Sequence, residues 1–173
     1  DIVAANTILL NLIMLSAFIL DAYAFSTEGI IGYSLGKKSS KMFMSATKNS
    51  LILSFSTGIL ISVLFFLIAK EIINLITDLE FLRFLTYKYL IWVIVIPPFA
   101  SLAYQLDGIF IGATQTKELR NSMIISVALY LPLSFFLTKQ LNNYGIWFSL
   151  LLFMILRTST LHFYFSNILK KFK

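Results

Sequence analysis

The chain has 173 residues, of which 58% are hydrophobic and 13% charged, and its mean hydropathy is +0.86. A soluble domain averages about 45–50% apolar and about 25% charged residues, and it could not hide this much apolar surface from water. The net charge of +6 forms no basic stripe with interleaved aromatics, so nucleic acid is not the expected partner, and the absence of cysteine excludes thiolate chemistry and disulfides.

The composition points to an all-α integral membrane protein. A spanning helix needs about 20 mostly apolar residues, and five such segments are predicted, at 4–35, 51–69, 90–113, 123–137 and 146–167. Apolar sequence begins at Ile2 with no initiator Met and no basic leader, which predicts a cut made inside a longer protein.

The first segment contains "ILDAYAFSTEGIIGYSLG", with Asp21 and Glu28 seven residues apart. On a helix this spacing places both acids on one face, roughly 10 Å apart along the axis. Met14, Ala17, Phe18, Ala24, Phe25 and Gly32 share that face. A charge facing acyl chains costs several kcal/mol, so intramembrane acids are expected to face a bundle or a wet cavity and to mark ion pathways. The competing expectations are structural hydrogen bonding for Asp21 and, for Glu28, solvation near the interface.

Between the second and third segments, "KEIINLITDLEFLRF" repeats apolar residues at helical spacing. It is expected to be either an amphipathic helix lying in the interface or a loop. The third segment carries "IPPFASLAYQLDGIFIGATQ". Pro97 and Pro98 remove backbone donors and are expected to kink the span, and such a break needs neighbours or a water-filled cavity. Tyr104 stands one turn before Asp107, deep in apolar sequence. A kink, an acid and a tyrosine suit a cation or proton site; the alternative is a packing kink with Asp107 paired to a donor. Gly32 with Gly36 and Gly108 with Gly112 have the GxxxG spacing that permits close helix approach.

Arg157 lies about halfway along the last segment. Its guanidinium cannot be neutralised cheaply, so it is expected either to pair with one of the acids or to snorkel toward the interface. His162 is expected at the interface, with a proton relay as the alternative. A single histidine and no cysteine cannot build a metal cluster, and no nucleophile motif or phosphate loop is present. The chain is therefore not expected to be an enzyme or to hold a cofactor.

Nine lysines and arginines fall beyond the ends of the first, third and fifth segments and four at the opposite ends. The positive-inside rule then places the C-terminus in the cytoplasm and the N-terminus of the chain outside.

"AANTILLNLIMLSAFILDAYAFSTEGIIGYSLGKK" and "YQLDGIFIGATQTKELRNSM" resemble two motifs of multidrug and toxin extrusion (MATE) transporters, closest to the DNA-damage-inducible F branch. "STEGIIGYSLG" departs from the usual AEALVGQALG but keeps the acid and the glycines. The resemblance implies a twelve-helix, two-lobe antiporter in the cell inner membrane, of which this chain would supply helices eight to twelve. It implies a proton or sodium ion as coupling ion and small cationic or amphipathic substrates. It implies as partners the lipid bilayer, the preceding helix and the other lobe, without which the piece is expected to be inactive. Asp107 would match an acid used for cation coupling in part of the family, and Asp21 and Glu28 acids of the helix-eight motif. In this branch an aspartate of the other lobe carries the coupling proton, which would make Asp107 secondary. Rival expectations are a lipid-linked saccharide flippase of the same superfamily and a non-transporting membrane subunit. An intramembrane enzyme would call for clustered His or repeated Asp motifs, which are missing.

Overall fold

A computed structural model describes residues 1–172. Five long helices follow one another: α1 (Ile2–Gly36), α2 (Ser40–Ile76), α3 (Glu80–Gly112), α4 (Thr116–Leu141) and α5 (Asn143–Leu169), with a short 3-10 turn at Lys170–Phe172. Each is long and apolar enough to cross a membrane. Among the described residues there is no strand, as lipid demands: a helix satisfies its backbone groups within one segment.

The helices outrun the apolar segments. α2 begins at Ser40, where Ser39 accepts a hydrogen bond from the Met42 amide 3.3 Å away, so eleven residues expected as connector are helical. "KEIINLITDLEFLRF" is neither an interface helix nor a loop: its first part completes α2 and its last part opens α3, with a break only at 77–79. Arg83 closes this hairpin by donating from Nε to the Thr77 carbonyl at 2.7 Å and from Nη2 to the Asn74 carbonyl at 2.9 Å. These are carbonyls at the end of α2 that its own ladder leaves without donors. Likewise the "TQTKELRN" connector is largely the first turns of α4.

α1 and α3 end alike. After Gly36 and Gly112 the chain reverses through Lys38 (φ 52°) and Thr114 (φ 55°). The amides of Ser39 and Gln115 close each helix on the carbonyls of Ser34 and Phe110, at 3.0 and 2.9 Å. That pairing is the Schellman terminator.

α3 is the axis of the bundle, packed by α1, α2 and α5, while α4 packs chiefly on α5. Two apolar clusters lie along it. One, toward the starts of α1, α3 and α5, gathers Leu9, Leu20, Ile73, Val93 and Trp147; the other, at the basic end, gathers Ile31, Phe43, Phe110, Leu161 and Ile168. Side chains such as Phe66, Leu67, Leu131 and Phe135 point outward, as lipid-facing residues should.

In lipid the hydrophobic effect does not draw helices together; close packing and polar contacts do. At one end, Asn6 and Asn143 exchange amide hydrogen bonds at 2.7 and 3.0 Å, and Trp147 donates from Nε1 to Asn6 Oδ1 at 3.0 Å. In mid-bundle, Gln105 donates to Thr27 Oγ1 at 2.6 Å, joining α3 to α1. Ser122 and Thr160 hydroxyls lie 2.6 Å apart between α4 and α5.

The two GxxxG pairs differ. A Cβ on Gly108 would stand 2.6 Å from the Ala24 carbonyl oxygen, and one on Gly112 2.5 Å from that of Glu28. Here α3 touches α1 backbone to backbone. Gly32 has 3.5 Å to the Gly112 oxygen and Gly36 meets nothing within 4 Å, so the first pair is not a close contact of its own. Pro97 and Pro98 lie inside α3, which stays helical through them. They face α2, where Gly58 leaves only 3.0 Å for a Cβ beside the Pro97 oxygen.

Replacing Gly108 by Ala forces these backbones apart, at a cost of about 1–3 kcal/mol, whereas Gly36→Ala is close to neutral. Thermal unfolding of the detergent-solubilised protein carrying each change checks the contrast.

Candidate functional site

The glycine contact sets the geometry of one crevice. With Gly108 against Ala24 and Gly112 against Glu28, the acid face of α1 lies beside the face of α3 that carries Tyr104 and Asp107. α5 lies along the other side of α3 and brings Arg157. Asp21, Glu28, Tyr104, Asp107 and Arg157 all line this crevice, whose volume is about 280 Å³. Five side chains singled out in sequence are thus in one place, drawn from three helices.

Asp107 and Arg157 form an ion pair, Oδ2 to Nη2 at 2.5 Å, with side chains only 14% and 16% exposed. Arg157 therefore pairs and does not snorkel. The pair is incomplete: Asp107 Oδ1 is buried and has no hydrogen-bond partner among the described residues. Asp21 and Glu28 are half-buried and make no ion pair among the described residues.

The crevice is open. Met14, Phe18 and Phe25, expected to face a protein interior, are exposed, because no helix among those described covers this side of α1. Pro97 and Pro98 lie away from the crevice, against α2. His162 is exposed on α5 and lines no wall shared with the acids. A larger depression, about 440 Å³, lies between the ends of α1 and α2 beside Ile30, Lys41 and Asn49. It is lined by no acid.

One wall of the crevice is not legible in the sequence. Leu119 closes the crevice from α4, but it sits in a polar stretch that hydropathy assigns to a connector. Gln105, two residues before the intramembrane aspartate, lies outside the crevice wall, fully buried and with its Oε1 unpartnered among the described residues.

Residues 1–138 match the MatE family. The chain belongs to this family. It is also similar to DNA damage-inducible protein F of Escherichia coli (strain K12), with 33% identity over 157 residues, covering 91% of this chain and 34% of that protein. The chain thus spans about a third of the length of this relative. No solved structure matches the chain. As a MatE protein with five long apolar helices, it is a multi-pass membrane protein. The matched stretch contains Asp21, Glu28, Tyr104 and Asp107, while Arg157 lies beyond it.

Removing one member of a buried ion pair strands the other and typically costs about 3–5 kcal/mol, whereas replacing both with apolar residues is often neutral. Arg157→Leu is expected to lower the unfolding temperature sharply, Asp107→Leu less, because Asp21 lines the same crevice and can pair with the freed guanidinium, and the double change to restore most of the larger loss. A thermal-melt double-mutant cycle in detergent measures the coupling.

Proposed function

We propose that this chain is part of one lobe of a secondary active exporter, which expels a small cationic or amphipathic substrate in exchange for a proton or a sodium ion. The observation that carries the reading is the crevice: three carboxylates and one guanidinium converge there at the depth of apolar spans. Charges are kept at such depth for ion and substrate pathways. With Arg157 matched to Asp107, the acids Asp21 and Glu28 remain to attract a cation, and Phe25 and Tyr104 offer aromatic faces beside them.

Membership of the MatE family supports a transport role. The coupling follows from linkage. A cation that neutralises Asp107 and a cationic substrate drawn by the same carboxylates oppose one another, so each shifts the other's occupancy by the same factor. Alternating access then needs only that the two occupancies favour different arrangements of the helices.

The expected setting is the cell inner membrane, with the basic end in the cytoplasm by the charge rule. The lobe is expected to work with a preceding helix and a second lobe of a longer protein. A lipid-linked saccharide flippase calls for several cations along the cavity; the crevice has Arg157 alone.

In the full-length protein reconstituted into vesicles, Asp107→Asn is expected to reduce gradient-driven export of a cationic dye by between about 5- and 150-fold, the range of ordinary coupling energies. Dye flux that keeps its full dependence on the imposed proton and sodium gradients would remove Asp107 from the mechanism.

A further inference from the structure

Arg157 is a cation tethered inside a crevice read above as a cation site, and the following rests on that reading. Three observations set its pairing with Asp107 apart from a fixed structural contact. A static buried pair is stable when the remaining lone pairs also find donors, yet Asp107 Oδ1 is buried without one. Next, α1 and α5 both pack on α3, but neither packs extensively on the other. The hydrogen bonds that join them are those of Asn6, Asn143 and Trp147 near their starts.

The third observation is the register of α1 on α3. These helices run parallel, and Ala24 meets Gly108 as Glu28 meets Gly112. Asp107 is therefore level with Tyr23, two residues from Asp21 and five from Glu28, or about 3 Å and about 7.5 Å along the axis. Asp21 is the acid at the depth of the pair, and it lines the same crevice as Arg157.

We propose that Arg157 is a positioning residue, handed from Asp107 to Asp21 when Asp107 is neutralised, and that the hand-off draws α5 toward α1 and narrows the crevice. The balance of charge is simple. A proton from the aqueous side adds to Oδ1 of Asp107, the oxygen without a partner, and the carboxylate becomes a neutral acid. The guanidinium cannot shed its own proton, so it stays charged and needs an anion. Asp21 supplies one. A sodium ion at Asp107 would sit beside the guanidinium with like charge, so the proton is the neutralising cation this pair admits. The other groups facing Asp107 are few. α1 brings Asp21 and Glu28, α3 brings Tyr104 and α5 brings Arg157; α4 contributes Leu119, and α2 does not line the crevice.

The experiment uses the full-length protein in lipid nanodiscs, with spin labels at Tyr33 on α1 and Phe163 on α5, both exposed. This chain has no cysteine to compete for the labels. The distance between labels is measured at alkaline and at mildly acidic pH. In the unmodified protein, acid is expected to shorten it by about 2 Å or more, the scale of helix shifts at interfaces. Asp107→Asn is expected to give the short distance at both pH values, and Asp21→Asn the long distance at both. Arg157→Lys should keep a shift, since the charge remains, whereas Arg157→Gln should lose it. Should Arg157→Gln fail to fold, the charge-balanced Asp107→Asn/Arg157→Gln double variant takes its place and is expected to give the long distance at both pH values, where Asp107→Asn alone gives the short one.

An acid-induced shortening that survives Asp21→Asn, or the loss of the arginine charge, overturns the hand-off. Dye export by the same samples separates the two proposals. Export abolished by Asp107→Asn together with an Asp21→Asn variant that still closes rejects the hand-off alone. Export untouched by Asp107→Asn, with a distance change that needs Asp21, rejects the exporter and supports the hand-off.

Discussion

The contact between α1 and α3 at Gly108 and Gly112 is the constraint on which the rest of the structure depends. Two backbones separated by less than a side chain fix the register of two helices, and register decides which polar groups share a level in the membrane. Were either glycine to carry a Cβ, the helices would separate, and Asp21, Tyr104 and Asp107 would lose their common wall. The buried Gln105–Thr27 hydrogen bond secures the same register one turn away. In a medium where apolar side chains gain little from meeting one another, a close fit with a few polar bonds holds the helices together.

On that frame the charges follow. A guanidinium and a carboxylate at this depth each cost several kcal/mol alone, and their contact recovers much of the cost only with good geometry and satisfied lone pairs. Here the geometry is good on one oxygen and absent on the other. The pair is held without being saturated, since one carboxylate oxygen keeps an unused lone pair among the described residues. The crevice is open on the side of Phe25, which is exposed.

Much of this was legible in the sequence, and the failures have common causes. The existence of five spans follows from hydropathy, because apolar runs of that length have few other uses. Their ends do not, because hydropathy reports where lipid stops and not where a helix stops. Ser40 to Ser50 is polar enough for water and still helical, and "KEIINLI" simply continues α2. The acids could be singled out because charge in lipid is costly. Their convergence could not be derived, since it needs the α1–α3 register. The two GxxxG pairs read alike along the chain, yet only Gly108 and Gly112 meet another backbone closely. For Arg157, pairing and snorkelling were both open until α5 was placed against α3.

The asparagine clasp has a mechanical consequence. Asn6 lies fifteen residues before Asp21, a lever of about 22 Å on a straight helix. With α1 and α5 fastened at that end, a swing of only about 5° moves the acid level by about 2 Å, and no helix has to bend or unwind to do it. The clasp is thus a fulcrum, and any small rotation of α5 about it would be multiplied along the length of the span.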